Sequence, residues 1–251
     1  CMVEHTLDVS RCALDEQGQQ AQGQRRIGVG VTGVANAIAM LGVRYGSSKA
    51  VFLLGSWMQT IQNVAYGASA LLAKERGAFP LYDADKHVAS RGIQALDQDI
   101  RTLVERHGLR NGTLTTIAPT GTTSMFAGNV SSGIEPIFST SFTRTIITPN
   151  GEKSSERVVD YAAWQFAQIY GPNAPLPDSF VTVADLSPDD HIAMQAAAQE
   201  WIDSGISKTV NCAEDIPFEA FKDIYRVAYD AGCKGCTTYR PNAITGSVLS
   251  L

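Results

Sequence analysis

Short segments with the composition of buried strands alternate with helical segments in the second half of the chain. The strand-like segments are rich in β-branched residues, which favour extended backbone, and they occupy residues 112–119, 142–148, 207–211 and 235–239. Helices are predicted between them, at about 156–169, 188–204 and 216–231. Because strands that alternate with helices usually pair in parallel, the pattern predicts an α/β barrel or a doubly wound sheet. Functional loops are then expected at the C-terminal ends of the strands.

The first half is predicted to be mainly helical. A short helix of small residues is expected over 33–43. Ser47 or Ser48 is a suitable N-cap for a long helix that stops at Gly77. A third helix is expected over about 90–107.

Two local signals bound the later elements. Asn150-Gly151 is typical of a turn. Ser187, followed by Pro188 and two aspartates, is a strong helix start, because the serine can cap the helix and acidic residues favour its first turn.

Composition and charge argue against several classes of protein. The chain has 251 residues and a formal charge of −5, and its 44% hydrophobic content is typical of a globular protein rather than a disordered one. Without a basic stripe, binding to a nucleic-acid duplex is not expected. The longest apolar stretch, 31–43, is too short and too rich in small residues to cross a membrane. The charged N-terminus does not look like a signal peptide.

The cysteine content favours a reducing, cytoplasmic location, because it does not form the dense pattern of a secreted disulfide-rich protein. The five cysteines are Cys1, Cys12, Cys212, Cys233 and Cys236. The chain does not begin with Met and ends abruptly in GSVLSL, so we expect it to be part of a longer protein.

The most informative segment is a predicted strand that runs into the hydroxyl-rich loop 119–124, PTGTTS. Gly121 lets the backbone turn closely and leaves consecutive N–H groups free to face one anion. The loop's threonines and Ser124 add hydroxyl donors, and a helix that begins near Ser124 would favour a phosphate further. A plain glycine turn at a strand end remains the alternative.

Residues 110–138, RNGTLTTIAPTGTTSMFAGNVSSGIEPIF, closely resemble the part of ribonucleotide reductases that contains the substrate phosphate loop. Three other stretches resemble the same catalytic subunit in the same order: 25–47, 204–211 and 230–249. Most of the chain is covered by this resemblance.

The resemblance implies the later half of a ten-stranded α/β barrel of parallel strands alternating with helices, with residues 1–251 forming the C-terminal portion of one catalytic domain. It implies radical reduction of ribonucleotides to 2′-deoxyribonucleotides, in which a thiyl radical abstracts the 3′ hydrogen and a cysteine pair supplies electrons. A thioredoxin-like or dithiol reductant would serve the complete enzyme, and a homodimer is left open. Matched onto this sequence, the phosphate loop is Pro119, Thr120, Gly121, Thr122 and Thr123, with Ser124 and Glu135 in support.

The class of reductase is indicated by the last predicted strand. Members that borrow a tyrosyl radical carry two adjacent tyrosines there, whereas CTTYR contains only Tyr239. The resemblance therefore implies the class that uses adenosylcobalamin, with the large subunit of a class I reductase as an alternative. A non-catalytic nucleotide-binding or assembly fragment is a second alternative.

A nicotinamide-dependent oxidoreductase is a further alternative, because GVGVTG (28–33) matches the dinucleotide-binding pattern GxGxxG. No clear strand precedes this segment, and no acidic residue follows about 20 positions later to bind a ribose. Close helix packing is the preferred explanation of these glycines.

The cysteines of this chain are not expected to carry the radical. The family's radical cysteine has an asparagine two residues before it, whereas Asn211 directly precedes Cys212. We therefore assign no catalytic residue and expect the chain by itself to be inactive. Cys233 and Cys236 form a lone C-x-x-C without partners for zinc, so they are interpreted as structural, with a redox pair as the alternative and no metal site assigned.

Glu135 lies between apolar residues and needs a partner if it is buried. We expect a salt bridge that fixes the phosphate loop rather than acid–base catalysis. The four histidines have no metal-ligand spacing and are expected to be solvated or locally bonded; they are His5, His87, His107 and His191.

Overall fold

The computed structural model describes residues 2–147, 150–151 and 153–241 of the chain. Helices form most of the regular structure, and the described residues divide into two units. Unit 1 comprises Cys1–Gly30, Gly55–Ile117 and Trp201–Gly205, and unit 2 comprises Val31–Leu54, Ala118–Glu200 and Ile206–Leu251.

The α-helices of the described residues run in chain order as α1 (Met2–Val9), α2 (Asp15–Gln24), α3 (Val34–Met40), α4 (Ser48–Arg76), α5 (Ala84–Val88), α6 (Arg91–Gln94), α7 (Gln98–His107), α8 (Gly121–Phe126), α9 (Tyr161–Tyr170), α10 (Pro188–Gln199) and α11 (Phe218–Asp230). A short 3-10 helix, Val183–Asp185, lies between α9 and α10. The strands are β1 (Ser141–Ile147), β2 (Lys153–Val159), β3 (Thr209–Asn211) and β4 (Thr237–Tyr239).

The helices predicted at 33–43 and from Ser48 to Arg76 are confirmed as α3 and α4. The Ser47 hydroxyl accepts a hydrogen bond from the Ala50 amide at 3.2 Å, as a cap should. The single helix predicted over 90–107 is wrong, because residues 95–97 separate α6 from α7. Leu96 turns into the core of unit 1, and the Asp97 amide donates to the Asn63 side chain at 2.9 Å.

The segment 112–119, predicted as a strand, is extended but pairs only briefly. Thr115 forms a parallel bridge with Val29, and the Thr116 amide donates to the Val29 carbonyl at 2.9 Å. Glycine is required at position 30, since a Cβ there would lie 2.2 Å from the Thr116 carbonyl oxygen. A Cβ at Gly28 would lie 2.5 Å from the Thr116 side chain. Close approach of two extended segments, rather than helix packing, explains these two glycines.

In unit 2, β1 and β2 form an antiparallel hairpin, with Ser141 opposite Val159 and Ile147 opposite Lys153. The turn predicted at Asn150-Gly151 is confirmed. Two expectations are wrong here, because β1 does not pair in parallel and the helix predicted from 156 starts only at Tyr161. Residue 148, the end of the predicted strand, lies outside the described residues.

The last three elements of unit 2 form a β–α–β arrangement, which confirms the predicted parallel pairing. Strands β3 and β4 are parallel, with Thr209 opposite Thr237 and Asn211 opposite Tyr239. Helix α11 connects them and buries Ile224 and Ala228.

Helix α10 packs against β3 and α11, and it begins where it was predicted to begin. The Ser187 hydroxyl accepts from the Asp190 amide at 3.2 Å, and Asp190 reaches back to the Ser187 amide at 3.0 Å. The helix ends at Gln199 rather than near Ser204.

Candidate functional site

A cavity of about 660 Å³ lies within unit 2. Two walls of the cavity carry polar groups. The start of α8 contributes Gly121 and Ser124 to the first wall, and strands β3 and β4 contribute Thr209, Asn211, Thr237, Thr238 and Tyr239 to the second. Further lining comes from residues 129–142, including Glu135, and from Asp160 and Val183. Its volume is within the range of cavities that hold small organic ligands.

The first wall is the predicted phosphate loop, and Thr120 shapes it. Thr120 adopts a left-handed backbone conformation, with φ of 53°, directly before α8. Its hydroxyl accepts from the Gly133 amide at 2.7 Å and bonds to the Thr32 hydroxyl at 2.9 Å. This hydroxyl is therefore engaged within the protein, so Thr120 holds the loop instead of offering a free donor.

The helix after Thr120 begins at Gly121, three residues earlier than expected. The amides of Gly121, Thr122 and Thr123 precede the first hydrogen bond of the helix, which the Ser124 amide makes to the Thr120 carbonyl at 2.7 Å. Within the described part of the chain, no acceptor bonds to those three amides. Three consecutive free donors thus lie at the loop, as an anion site requires.

The remaining loop residues divide into exposed and buried ones. Pro119, Thr122 and Thr123 are exposed beside the cavity without lining it, while Gly121 lines it and is open to solvent. Ser124 is buried, and its hydroxyl bonds to the Gly121 carbonyl at 3.1 Å and to the Ser132 hydroxyl at 3.1 Å. Ser124 therefore ties the first turn of α8 to the segment that follows it.

Glu135 forms the salt bridge that was predicted, but it does so toward β3. Its Oε2 lies 3.0 Å from the Lys208 Nζ, and its Oε1 accepts from the Thr209 amide at 2.6 Å. Lys208 Nζ also donates to His191 Nδ1 at 2.8 Å and to the Thr209 carbonyl at 3.1 Å. Glu135 thereby connects the cavity wall to the first residue of β3.

The roles of His191 and Lys208 were not predicted from the sequence, and His191 departs most from expectation. It was expected to be solvated or locally bonded, yet its side chain is fully buried and bonds to a residue 17 positions away. Burial, together with the nearby Lys208 ammonium, lowers the pKa of His191 to about 3. The imidazole is therefore neutral at physiological pH and accepts a hydrogen bond through Nδ1.

A buried polar stripe on α10 contains His191. Gln195 and Gln199 follow it at intervals of four residues, so the three side chains share one helix face, and all three are buried. The Gln195 amide group donates to the Gly235 carbonyl at 2.7 Å, and Gln199 accepts from the Lys234 amide at 3.3 Å. The spacing of these polar residues was the signal that could have revealed His191.

The three cysteines of unit 2 lie apart from the cavity lining. Cys212 is buried in an apolar cluster, and Cys233 and Cys236 pack against the same cluster. All three are free thiols, and burial raises the pKa of each of them. None of the cysteines that the structure describes lines the cavity.

Comparison with known proteins decides the family. The sequence profile of the ribonucleotide reductase barrel domain matches residues 1–239. The chain belongs to this family.

Reductases from several organisms are similar to this ribonucleotide reductase barrel. The vitamin B12-dependent ribonucleoside-diphosphate reductase of Mycobacterium tuberculosis is 35% identical over 99% of the chain and 36% of its own length. The protein of the same name from Thermoplasma acidophilum is 32% identical over 99% of the chain and 32% of its length. The ribonucleoside-diphosphate reductase subunit alpha of Chlamydia trachomatis is 27% identical over 95% of the chain and 26% of its length. The chain thus spans about a third of the length of the relatives it matches.

Of the residues predicted for the site, the structure brings Gly121, Ser124 and Glu135 to one cavity, and it leaves Cys233 and Cys236 outside the lining of that cavity. Among the residues that the structure describes, no group of three or more His, Cys, Asp or Glu side chains could hold a metal ion. No helix within the described ranges is both long and apolar enough to cross a membrane.

Proposed function

We propose that this chain forms the substrate-binding part of the catalytic barrel of a radical ribonucleotide reductase, which converts ribonucleotides to 2′-deoxyribonucleotides. The observation that carries this proposal is the loop 119–124, whose free amides stand at the edge of a cavity of about 660 Å³. The barrel would have the ten strands typical of the family, with residues 1–251 as the C-terminal portion of a single catalytic domain.

The phosphate of the substrate binds to the loop Pro119–Thr123, and Ser124 supports the loop through its bonds to Gly121 and Ser132. Glu135 supports the opposite wall of the cavity, through Lys208 and the Thr209 amide. The amides of Gly121, Thr122 and Thr123 are the donors, and the exposed hydroxyls of Thr122 and Thr123 add to them. Such a site needs no cation, which suits a chain with a formal charge of −5.

The sugar of the substrate lies against the second wall, at β3 and β4. Thr209 and Asn211 are two residues apart on a strand, so both side chains face the same side, and both line the cavity. Their hydroxyl and amide groups can donate to and accept from sugar hydroxyls. Holding the phosphate and the sugar at two fixed walls orients the ribose, and such positioning can supply several kcal/mol of barrier reduction.

The cofactor of the complete enzyme is adenosylcobalamin, as the names of the B12-dependent relatives suggest. When bound, it supplies the radical chemistry of the reaction. The residues described here do not fit it: the cavity has the volume of a small-ligand site, and no described cysteine lines it to receive a radical. We therefore derive no step through the cofactor from this chain.

The same proposal includes a thioredoxin-like or dithiol reductant, association into a homodimer and a cytoplasmic location. The thiols of Cys233 and Cys236 have raised pKa values, which makes them poor nucleophiles at neutral pH, so electron delivery is assigned to cysteines other than these.

The test is to incubate the complete protein that carries this chain with adenosylcobalamin, a dithiol and each of the four ribonucleotides, and to assay for deoxyribonucleotides. Multiple turnovers that require adenosylcobalamin are expected. Binding should be measured in parallel for a nucleoside diphosphate and for the nucleoside without phosphate. Tight binding of a nucleotide without any turnover would support the non-catalytic fragment instead, and equal affinity for nucleotide and nucleoside would rule out the phosphate loop.

A further inference from the structure

Lys208 is the centre of a buried polar cluster that the reductase chemistry does not explain. Its side chain is fully buried, and its Nζ contacts Glu135 Oε2, His191 Nδ1 and the Thr209 carbonyl. An ammonium group has three protons, so all of them are used. We call Glu135, Lys208 and His191 together the Lys208 clamp.

The Lys208 clamp holds both polar main-chain groups of one residue. Glu135 Oε1 accepts from the Thr209 amide at 2.6 Å, and Lys208 Nζ donates to the Thr209 carbonyl at 3.1 Å. Thr209 is the first residue of β3, and it lines the cavity together with Asn211. The position of both side chains at the cavity is therefore set by the clamp.

Stability alone is a weak reason to bury these groups. Removing an ammonium from water is costly, and a buried ion pair often stabilises a fold no better than apolar residues of the same size. The clamp also leaves His191 Nε2 buried without a partner among the described residues, which is a further cost. The Lys208 clamp is therefore better explained by a need to fix the position of β3 than by a gain in stability.

We propose that the Lys208 clamp is a positioning device: it places Thr209 and Asn211 so that they hydrogen-bond the ribose hydroxyls of the nucleotide and discriminate ribose from 2′-deoxyribose. This inference rests on the proposed function, because it assumes that the phosphate of the same nucleotide occupies the loop 119–124. Glu135, Lys208 and His191 act through β3 and need not touch the substrate.

The experiment measures the affinity of the complete protein for a ribonucleoside diphosphate and for its 2′-deoxy counterpart by calorimetry. The natural protein should prefer the ribonucleotide. Lys208→Met removes the three hydrogen bonds with little change in side-chain length, and it should reduce this preference at least fivefold. Gly121→Val, in contrast, should weaken the binding of both nucleotides by similar factors.

Two further variants test the role of His191 directly. His191→Leu removes the acceptor of the Lys208 proton and should reduce the preference as Lys208→Met does. His191→Asn places an amide oxygen near the position of Nδ1 and should restore the preference to within twofold of the natural protein. This pair keeps the proposal testable if Lys208→Met does not fold.

Glu4→Gln is the control for a buried ion pair away from the cavity, since the Glu4 carboxylate is buried, accepts from Arg25 Nε at 2.8 Å and does not line the cavity. It should lower stability without changing the ribose preference. A natural protein without preference, an unchanged preference in folded Lys208→Met and His191→Leu, or the same loss in Glu4→Gln would each overturn the inference. Failure of the proposed function would give a different result from failure of this inference, because the natural protein would then bind neither nucleotide.

Discussion

Gly121→Val tests the phosphate loop without disturbing the protein around it. A Cβ built on Gly121 meets no protein atom within 4 Å, and the residue is not in the left-handed backbone region. The added side chain therefore has room in the folded protein. That room belongs to the cavity, which Gly121 lines, so the valine occupies space that the phosphate needs.

The magnitude follows from the donors that the phosphate would lose. The amides of residues 121–123 have no other acceptor among the described residues, and a hydrogen bond to a charged group is worth about 1.5–3 kcal/mol. Losing one such bond weakens nucleotide binding by roughly 10- to 150-fold. The change in helix propensity from glycine to valine is small and favourable, about 0.5 kcal/mol at most, so the melting temperature should hardly change.

The assay is calorimetric titration of the complete protein with a ribonucleoside diphosphate, with the thermal midpoint measured on the same samples. Gly92→Val is the matched control, because Gly92 also lies in a short helix, α6, and a Cβ there also meets no atom within 4 Å. The control should bind as the natural protein does. Affinity within threefold of the natural protein in folded Gly121→Val would refute the assignment of the loop.

Three other outcomes are expected. The Cys233→Ser, Cys236→Ser double variant should keep turnover with a small dithiol reductant at some cost in stability, and a hundredfold loss of turnover in a folded variant would contradict the structural role. Because the folded-state pKa of His191 is about 3, lowered from about 6.5 in the unfolded chain, the protein should lose stability as pH falls; between pH 7 and pH 4.5 the loss amounts to about 2.5 kcal/mol. Urea unfolding at pH 7 and 4.5 should show that loss, and His191→Asn should remove it. Gly30→Ala should destabilise the fold, since its Cβ would lie 2.2 Å from the Thr116 carbonyl oxygen; a melting temperature equal to the natural one would exclude that contact.

Local signals in the sequence predicted many elements correctly, because they act within a few residues. Ser187 and the aspartates after it define the start of α10 by capping chemistry that needs no tertiary contact. The turn at Asn150-Gly151 is likewise local. The strand β2 was missed because its polar sequence, KSSERVV, lacks the apolar pattern of a buried strand, and its pairing with β1 supplies the hydrogen bonds.

The candidate site could be predicted only in part, for the same reason. The glycine and hydroxyl residues of 119–124 are adjacent in the chain, so their chemistry was visible in the sequence. The Lys208 clamp brings together residues up to 73 positions apart, since Glu135 meets Lys208 only in the folded chain. The roles of His191 and Lys208 follow from tertiary packing, so they could not be predicted from the chemistry of the individual residues.

The two walls of the cavity differ in the groups that they offer to a charged ligand, so binding of the phosphate and binding of the sugar can be tested separately. Lys208 carries a positive charge next to the cavity wall, but its protons are used by Glu135, His191 and the main chain, so it offers no donor to a phosphate. The loop after Thr120 offers neutral amides that bind an anion through geometry alone. A change of shape at Gly121 should therefore affect phosphate binding, whereas loss of the charge at Lys208 should affect the sugar end, although neither change involves a residue of the other wall.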